Sequence, residues 1–283
     1  MAEILLGVIG GSGLYSMKEL NIIETVAVKT PFGTPSNDVV IGELSGTRLA
    51  FLPRHGEGHF IPPSEINFRA NIFAMKKLGV ERIISVSAVG SMKEELQPGH
   101  FSIPHQFIDR TNRRINTFFT TGMVGHVALA DPVCLDTAGI LNIAAQKTNA
   151  VVHDGGTYIC IEGPQFSTRA ESNLYRHWGV DVIGMTNATE AKLAREAGVC
   201  YATLALVTDY DCWKEEEEPV TLGAVLKIMH KNVELAQEVL KELTPMLKAD
   251  RICACGVAAQ NAVVTDPKKV PVQLRDELSL LFG

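Results

Sequence analysis

The chain has 283 residues, 46% hydrophobic and 20% charged, so one α/β domain of this length can bury about three quarters of the surface its unfolded chain exposes. Its 26 basic and 32 acidic residues leave a formal charge of −6 and a pI near 5.8. That balance argues against a nucleic-acid surface or an anionic membrane as partner, while leaving room for a small local anion pocket.

The N-terminus lacks a basic n-region and is not read as a secretory signal. The longest apolar runs, such as 201–207, are too short to span a bilayer, so a cytoplasmic location is expected. No linker, repeat or low-complexity tract divides the chain, and residues 1–283 are read as one domain. Short β-rich runs alternate with amphipathic stretches, the pattern of an α/β fold with a central, largely buried sheet flanked by helices. The first strand is expected over 4–9, ending in Gly10-Gly11-Ser12-Gly13, and a hairpin over 39–43 and 48–52. Ser64 is expected to cap a helix that stops at Gly79. A central strand over 82–86 leads to the turn Ser87-Ala88-Val89-Gly90-Ser91, and 101–103 forms another strand. A polar connection follows from Arg110 to about Pro132, longer than most loops and therefore functional or an oligomer contact. Strands are then expected over 157–161, 181–185 and 201–207, with helices over 136–149, 168–178, 189–197 and 221–243.

The polar and glycine-containing segments thus follow strands, where ligands bind in α/β sheets. Gly10-Gly11-Ser12-Gly13 offers backbone N–H groups and a hydroxyl to a phosphate, although a plain tight turn uses the same residues. Arg54 and His55 put a guanidinium fork and a second donor at a strand end. Ser87, Ser91 and Thr186 add strand-end hydroxyls, each of which also reads as a turn or cap group. Asp209 and Asp211 directly follow the most hydrophobic strand, a costly place for carboxylates that meet no ligand or cation; burial would leave one of them protonated and able to donate. His55 and His59 lie among glycines that oppose a helix, which speaks against zinc there. Of the six cysteines, Cys253-Ala254-Cys255 is a weak metal signal with no second pair to complete a tetrahedral site; buried reduced thiols are the default reading.

Taken together, Gly10-Gly11-Ser12-Gly13-Leu14, Pro31-Phe32-Gly33, Arg54-His55-Gly56, Asn67-Phe68-Arg69-Ala70-Asn71, Gln106-Phe107-Ile108-Asp109-Arg110, Glu162-Gly163-Pro164-Gln165-Phe166-Ser167 and Thr208-Asp209-Tyr210-Asp211-Cys212-Trp213 resemble the 5'-methylthioadenosine phosphorylases of the trimeric purine nucleoside phosphorylase class. The resemblance runs from residue 7 to about 240. It implies a mixed, distorted sheet flanked by helices, and a homotrimer or hexamer in which a neighbouring subunit completes each site. It implies phosphate at Ser12, Arg54, His55, Ser87, the Ala88 N–H and Thr186. Met185 would lie on the ribose, Phe166, Ser167, Asp209 and Asp211 would hold the purine, and His126, Leu222 and Leu226 would surround the 5'-group. Asp209 and His55 are the implied catalytic residues. The implied reaction is phosphorolysis of methylthioadenosine in purine and methionine salvage, with no metal or organic cofactor and with phosphate as co-substrate. A 6-oxopurine nucleoside phosphorylase is the alternative. Asn187 departs from the pattern and is expected to bear on base or ribose preference. Cys253-x-Cys255 resembles a tail feature of heat-stable members, in which Cys134 and Cys200 also pair.

Overall fold

The first strand, β1 (Leu6–Gly10), is buried along its whole length, as a strand covered by helices on both faces must be. The computed structural model describes residues 4–214, 222–248, 250–260 and 262–282. Two parallel neighbours flank β1, namely β4 (Thr47–Pro53) and β5 (Arg82–Ser91). Beyond β4 the sheet continues through β3 (Val39–Leu44) and the edge strand β2 (Asn21–Val26), both antiparallel to the strand before.

Beyond β5 the sheet forks. One branch is β11 (Cys200–Asp209), parallel to β5, then β6 (Phe101–Ile103) and β8 (Val152–Asp154). The other is β10 (Val182–Gly184), antiparallel to the end of β5, then β9 (Thr157–Cys160) and β7 (Gln106–Asp109). The fork determines where a site can form. β1 pairs with β5 as far as Ser85, and β10 takes over at Gly90. Residues 86–89 lie between these two partners, beside the carboxyl ends of β1 and β4.

Alternation along the strands divides the core into two faces. Leu6, Val8, Ile84 and Leu204 pack under α2 (Leu135–Gln146) and α5 (Leu222–Leu243). Ile9, Leu52, Ile83 and Tyr201 pack under α1 (Phe68–Lys77), α4 (Asn187–Glu196) and α6 (Val272–Phe282). The remaining helix, α3 (Arg169–His177), starts at Thr168, whose hydroxyl and the Glu171 carboxylate satisfy each other's backbone N–H groups.

Several expectations shift. Ser64 sits in a short helical turn, Pro63–Glu65, and the cap of α1 is Asn67, whose Oδ1 accepts from the Ala70 N–H at 3.1 Å. The expected turn 87–91 is the end of β5, and β11 likewise runs on to Asp209. α4 begins at Asn187 because Thr186 is its cap. The strands β2, β7 and β8 and the helix α6 were not anticipated. β2 is mostly exposed and lacks a clean apolar alternation, while β8 has only three residues. The cysteine reading changes most: Cys134 and Cys200 supply the second pair, bringing their Sγ atoms within 4.8 Å of those of Cys253 and Cys255.

Candidate functional site

The fork in the sheet opens onto a cavity of about 390 Å³, a size suited to a small molecule. Five consecutive residues of β5, Val86 to Gly90, line it, with Gly11, Arg54 and His55 on one side and Met185, Thr186, Asp209 and Asp211 on the other. A groove of about 550 Å³ between α2 and α5 is lined by solvated Glu and Lys side chains and lies away from these strand ends.

Arg54 follows β4 and is buried to 3% exposure. Its Nε donates to Glu190 Oε1 at 2.5 Å and its Nη2 to Glu190 Oε2 at 3.2 Å. The Nη2 group also reaches Ser85 Oγ and the Ile9 carbonyl, and Nη1 donates to the Val86 carbonyl at 2.9 Å. Glu190, at 1% exposure, further accepts from Ser85 Oγ and the Tyr201 hydroxyl. Burial alone would make Arg54 easier to deprotonate, but the Glu190 charge and its hydrogen bonds, with smaller contributions from Tyr201 and Tyr158, together outweigh it and raise its pKa. The guanidinium is therefore locked in one orientation, and its second Nη1 proton has no acceptor among the described residues.

His55 behaves differently from the expected second donor. Its Nδ1 lies 2.8 Å from the Ile61 carbonyl, which can only accept. The proton must sit on Nδ1, so the neutral ring offers Nε2 as an acceptor. Burial, and then the Arg54 charge, push its pKa down to about 4. At neutral pH His55 can take a hydrogen bond from a phosphate O–H or a sugar hydroxyl.

Thr186 caps α4, so the N-terminus of a ten-residue helix meets the cavity beside Arg54, and such a terminus favours an anion. Asn187 points away: it is fully buried, its amide donates to Ser85 and Thr203 hydroxyls, and its Oδ1 accepts from Thr186 Oγ1 at 2.9 Å. It orients Thr186 and does not itself line the cavity, so any bearing it has on the ligand runs through Thr186.

On the opposite wall, the pairing of β11 with β5 skips Thr208. Thr208 Oγ1 lies 3.2 Å from the Val89 carbonyl and 2.7 Å from Asp209 Oδ2, while Asp209 Oδ1 accepts from the Asp211 N–H at 2.8 Å. Gly90 makes room for this carboxyl, since a Cβ there would come within 3.0 Å of Asp209 Oδ1. Phe166 lines the mouth with 72% of its surface exposed. Met185 lies against the cavity, its carbonyl held by Arg114 Nη1. Arg114 also binds the Glu162 side chain and the Glu162 carbonyl, tying the ends of β9 and β10 together.

Of the sequence-predicted residues, Arg54, His55, Ser87, Ala88, Phe166, Met185, Thr186, Asp209 and Asp211 converge on this cavity. Ser12 starts the short turn Ser12–Tyr15 and leaves the lining to Gly11. Ser167 is half-buried beside the lining, and its buried Oγ has no partner among the described residues. His126 is exposed, with its N–H bonded to the Ala262 carbonyl, and does not line this cavity. The side chains of Leu222 and Leu226 lie outside the described residues, but Met229 of the same helix lines the cavity. Sequence reasoning missed Glu190 and Arg114. The signal for Glu190 was available: an arginine buried at a strand end requires an acidic partner.

The sequence profile of the Phosphorylase superfamily matches residues 5–245. The chain is 55% identical over 282 residues to the S-methyl-5'-thioadenosine phosphorylase of Geobacter sulfurreducens, covering 99% of each chain. It is 54% identical to that of Koribacter versatilis, covering 100% of this chain and 96% of the other. A methylthioadenosine phosphorylase from an antarctic soil metagenomic library superposes with a TM-score of 0.95 at 46% identity, each chain fully covered. The Schistosoma mansoni methylthioadenosine phosphorylase in complex with adenine does so at 0.86 and 36% identity, over 92% of this chain and 99% of the other. With the forked sheet and its cavity, these relationships show that the chain belongs to the phosphorylase superfamily, in the branch of the methylthioadenosine phosphorylases.

Proposed function

We propose that the chain is a pentosyltransferase that cleaves the N-glycosidic bond of 5'-methylthioadenosine with inorganic phosphate, giving adenine and 5-methylthioribose 1-phosphate. The observation that carries this reading is the placement of an anion cradle and a carboxyl pair on opposite walls of one cavity. Arg54, the α4 terminus with Thr186, the Ser87 hydroxyl and the Ala88 N–H hold phosphate below the anomeric carbon, and His55 accepts its O–H. As the glycosidic bond lengthens, positive charge grows on the ribose and negative charge on the base. The bound phosphate stabilises the first and Asp209 the second. Thr208 has one hydroxyl proton and two acceptors in reach. The Thr208 hydroxyl orients the Asp209 carboxyl, which as the protonated acid delivers its proton to purine N7. Asp211 accepts from the 6-amino group, Ser167 offers its unpaired hydroxyl, Phe166 stacks on the base, and Met185 packs on the sugar. These steps require no metal or organic cofactor.

We further propose a cytoplasmic homotrimer in which a neighbouring copy brings His126 to the 5'-group. Exposed Val124 and Val264 beside His126, joined by a backbone hydrogen bond, support a contact there. Light scattering at the 30.7 kDa monomer mass would refute the trimer. The activity is tested by following release of adenine from methylthioadenosine against hypoxanthine from inosine, with and without phosphate. Faster hypoxanthine release overturns the substrate, and release without phosphate overturns the phosphorylase.

A further inference from the structure

Four thiols from three distant segments converge at the end of β11 farthest from the cavity. Cys200 opens that strand, Cys134 caps α2, and Cys253 and Cys255 belong to the C-terminal segment beyond the family match. All four Sγ atoms lie within 4.8 Å of one another, with Cys200 and Cys253 at 3.3 Å, and three of the four residues are buried. A tetrahedral ion bound at about 2.3 Å from each sulfur sets the sulfurs about 3.8 Å apart, which this arrangement approaches with small adjustments.

The surroundings suit thiolates. Cys134 stands at the N-terminus of a twelve-residue helix, and Thr137 Oγ1 donates to its sulfur at 3.3 Å. The Arg251 Nη1 lies 3.9 Å from Cys200 Sγ, a cation placed to offset the excess negative charge of four thiolates around a divalent ion. Arg251 also binds Glu81 and the Gly198 carbonyl, docking the tail on the body of the sheet.

We propose that Cys134, Cys200, Cys253 and Cys255 form a structural zinc site that clamps the C-terminal segment to the sheet. Four soft ligands in a closed tetrahedral set favour zinc and leave no open position for a substrate. The ten residues of β11 put roughly 30 Å between this site and Asp209, so its role is in stability and not in phosphorolysis.

The test uses the full chain, purified with a thiol reductant and without chelator. Elemental analysis should find about one zinc per chain, lost in Cys255→Ser and in Cys253→Ser. Wild-type protein stripped with a strong chelator should take up Co(II) and show thiolate charge-transfer and intense tetrahedral ligand-field bands, a readout independent of any variant's folding. Zinc removal should lower Tm by several degrees while leaving turnover at ambient temperature unchanged. Three results overturn the site: reduced protein that binds neither zinc nor cobalt, metal content unchanged in both variants, or iron as the bound metal. A mass short by the hydrogens of two disulfides, with no metal bound, would show that the same sulfurs pair with each other instead.

Discussion

The two walls of the cavity are built on opposite principles. The anion wall is over-determined: Arg54 has four acceptor groups, Glu190 three donor side chains, and both are almost wholly buried. The base wall is more open: Asp209, which accepts from the Asp211 N–H and lies against the Thr208 hydroxyl, is only half-buried, as is Asp211, and Phe166 projects with 72% of its surface exposed. A phosphate is the same in every turnover, and a rigid cradle costs no reorganisation when charge develops. The base must enter and leave, and an open mouth with a few directional groups permits that. The comparison predicts that damage to the anion wall affects folding and chemistry together, whereas damage to the base wall affects chemistry or selectivity alone.

The largest effect should come from separating Arg54 from Glu190. Glu190→Ala leaves a buried guanidinium without its counter-charge, a loss of about 3–5 kcal/mol of folding stability. Glu190→Gln keeps the shape but not the charge and should fall between. Arg54→Met removes the phosphate donor as well, and should reduce kcat/KM for phosphate by about 10²–10³-fold on top of a lowered Tm. Denaturant melts with steady-state kinetics check both. An Arg54→Met protein with wild-type stability would show that the two walls do not differ in this way.

This asymmetry also marks how much the sequence revealed. The strand-end residues Arg54, Thr186 and Asp209 were legible because a polar side chain straight after an apolar run has few structural uses. That Arg54 needs an acidic partner was legible too, but not that Glu190 supplies it, since within α4 an acidic residue reads as a solvated helix face and only the fold turns that face inward. Arg114 hid in the long connection from Arg110 to Pro132, where nothing local says which strands it will join. The placing of Asn187 was hidden for the same reason, because adjacency to Thr186 in sequence does not reveal that its side chain points into the core. The cysteines show the limit most clearly: Cys253-Ala254-Cys255 is incomplete by spacing, and residues more than fifty positions away complete it. The edge strand β2 escaped because one that buries little shows weak periodicity.

On the base wall, Asp209→Ala should reduce kcat by about 10²-fold or more while Tm and phosphate affinity change little, since a proton donor acts mainly in the transition state. Equal losses in kcat and phosphate binding would remove Asp209 from the acid role. Gly90→Ala should act in the same direction more weakly, because its Cβ would press on Asp209 Oδ1 from 3.0 Å. Asp211→Asn should shift preference from adenine towards 6-oxopurines by about 1–3 kcal/mol, since an amide can donate where the carboxylate could only accept. Competition between methylthioadenosine and methylthioinosine reads this directly, and an unchanged ratio would take base choice away from Asp211.

The smallest effect concerns His55, which belongs to the anion wall but carries no charge at neutral pH. Its folded pKa of about 4 lies below the ordinary 6.5, so between these values the unfolded chain binds more protons than the native one. The stability from keeping His55 neutral is therefore fully present above about pH 6.5 and is lost as pH falls towards 4. His55→Gln, which does not titrate, should flatten that part of the Tm–pH curve while leaving the alkaline side unchanged. The same depression leaves His55 neutral in the free enzyme near neutrality, so the pH profile of kcat/KM should show no limb near 6.5 that disappears in His55→Gln. A limb that does disappear would mean His55 cycles its proton, making this part of the anion wall as chemically active as Asp209 opposite.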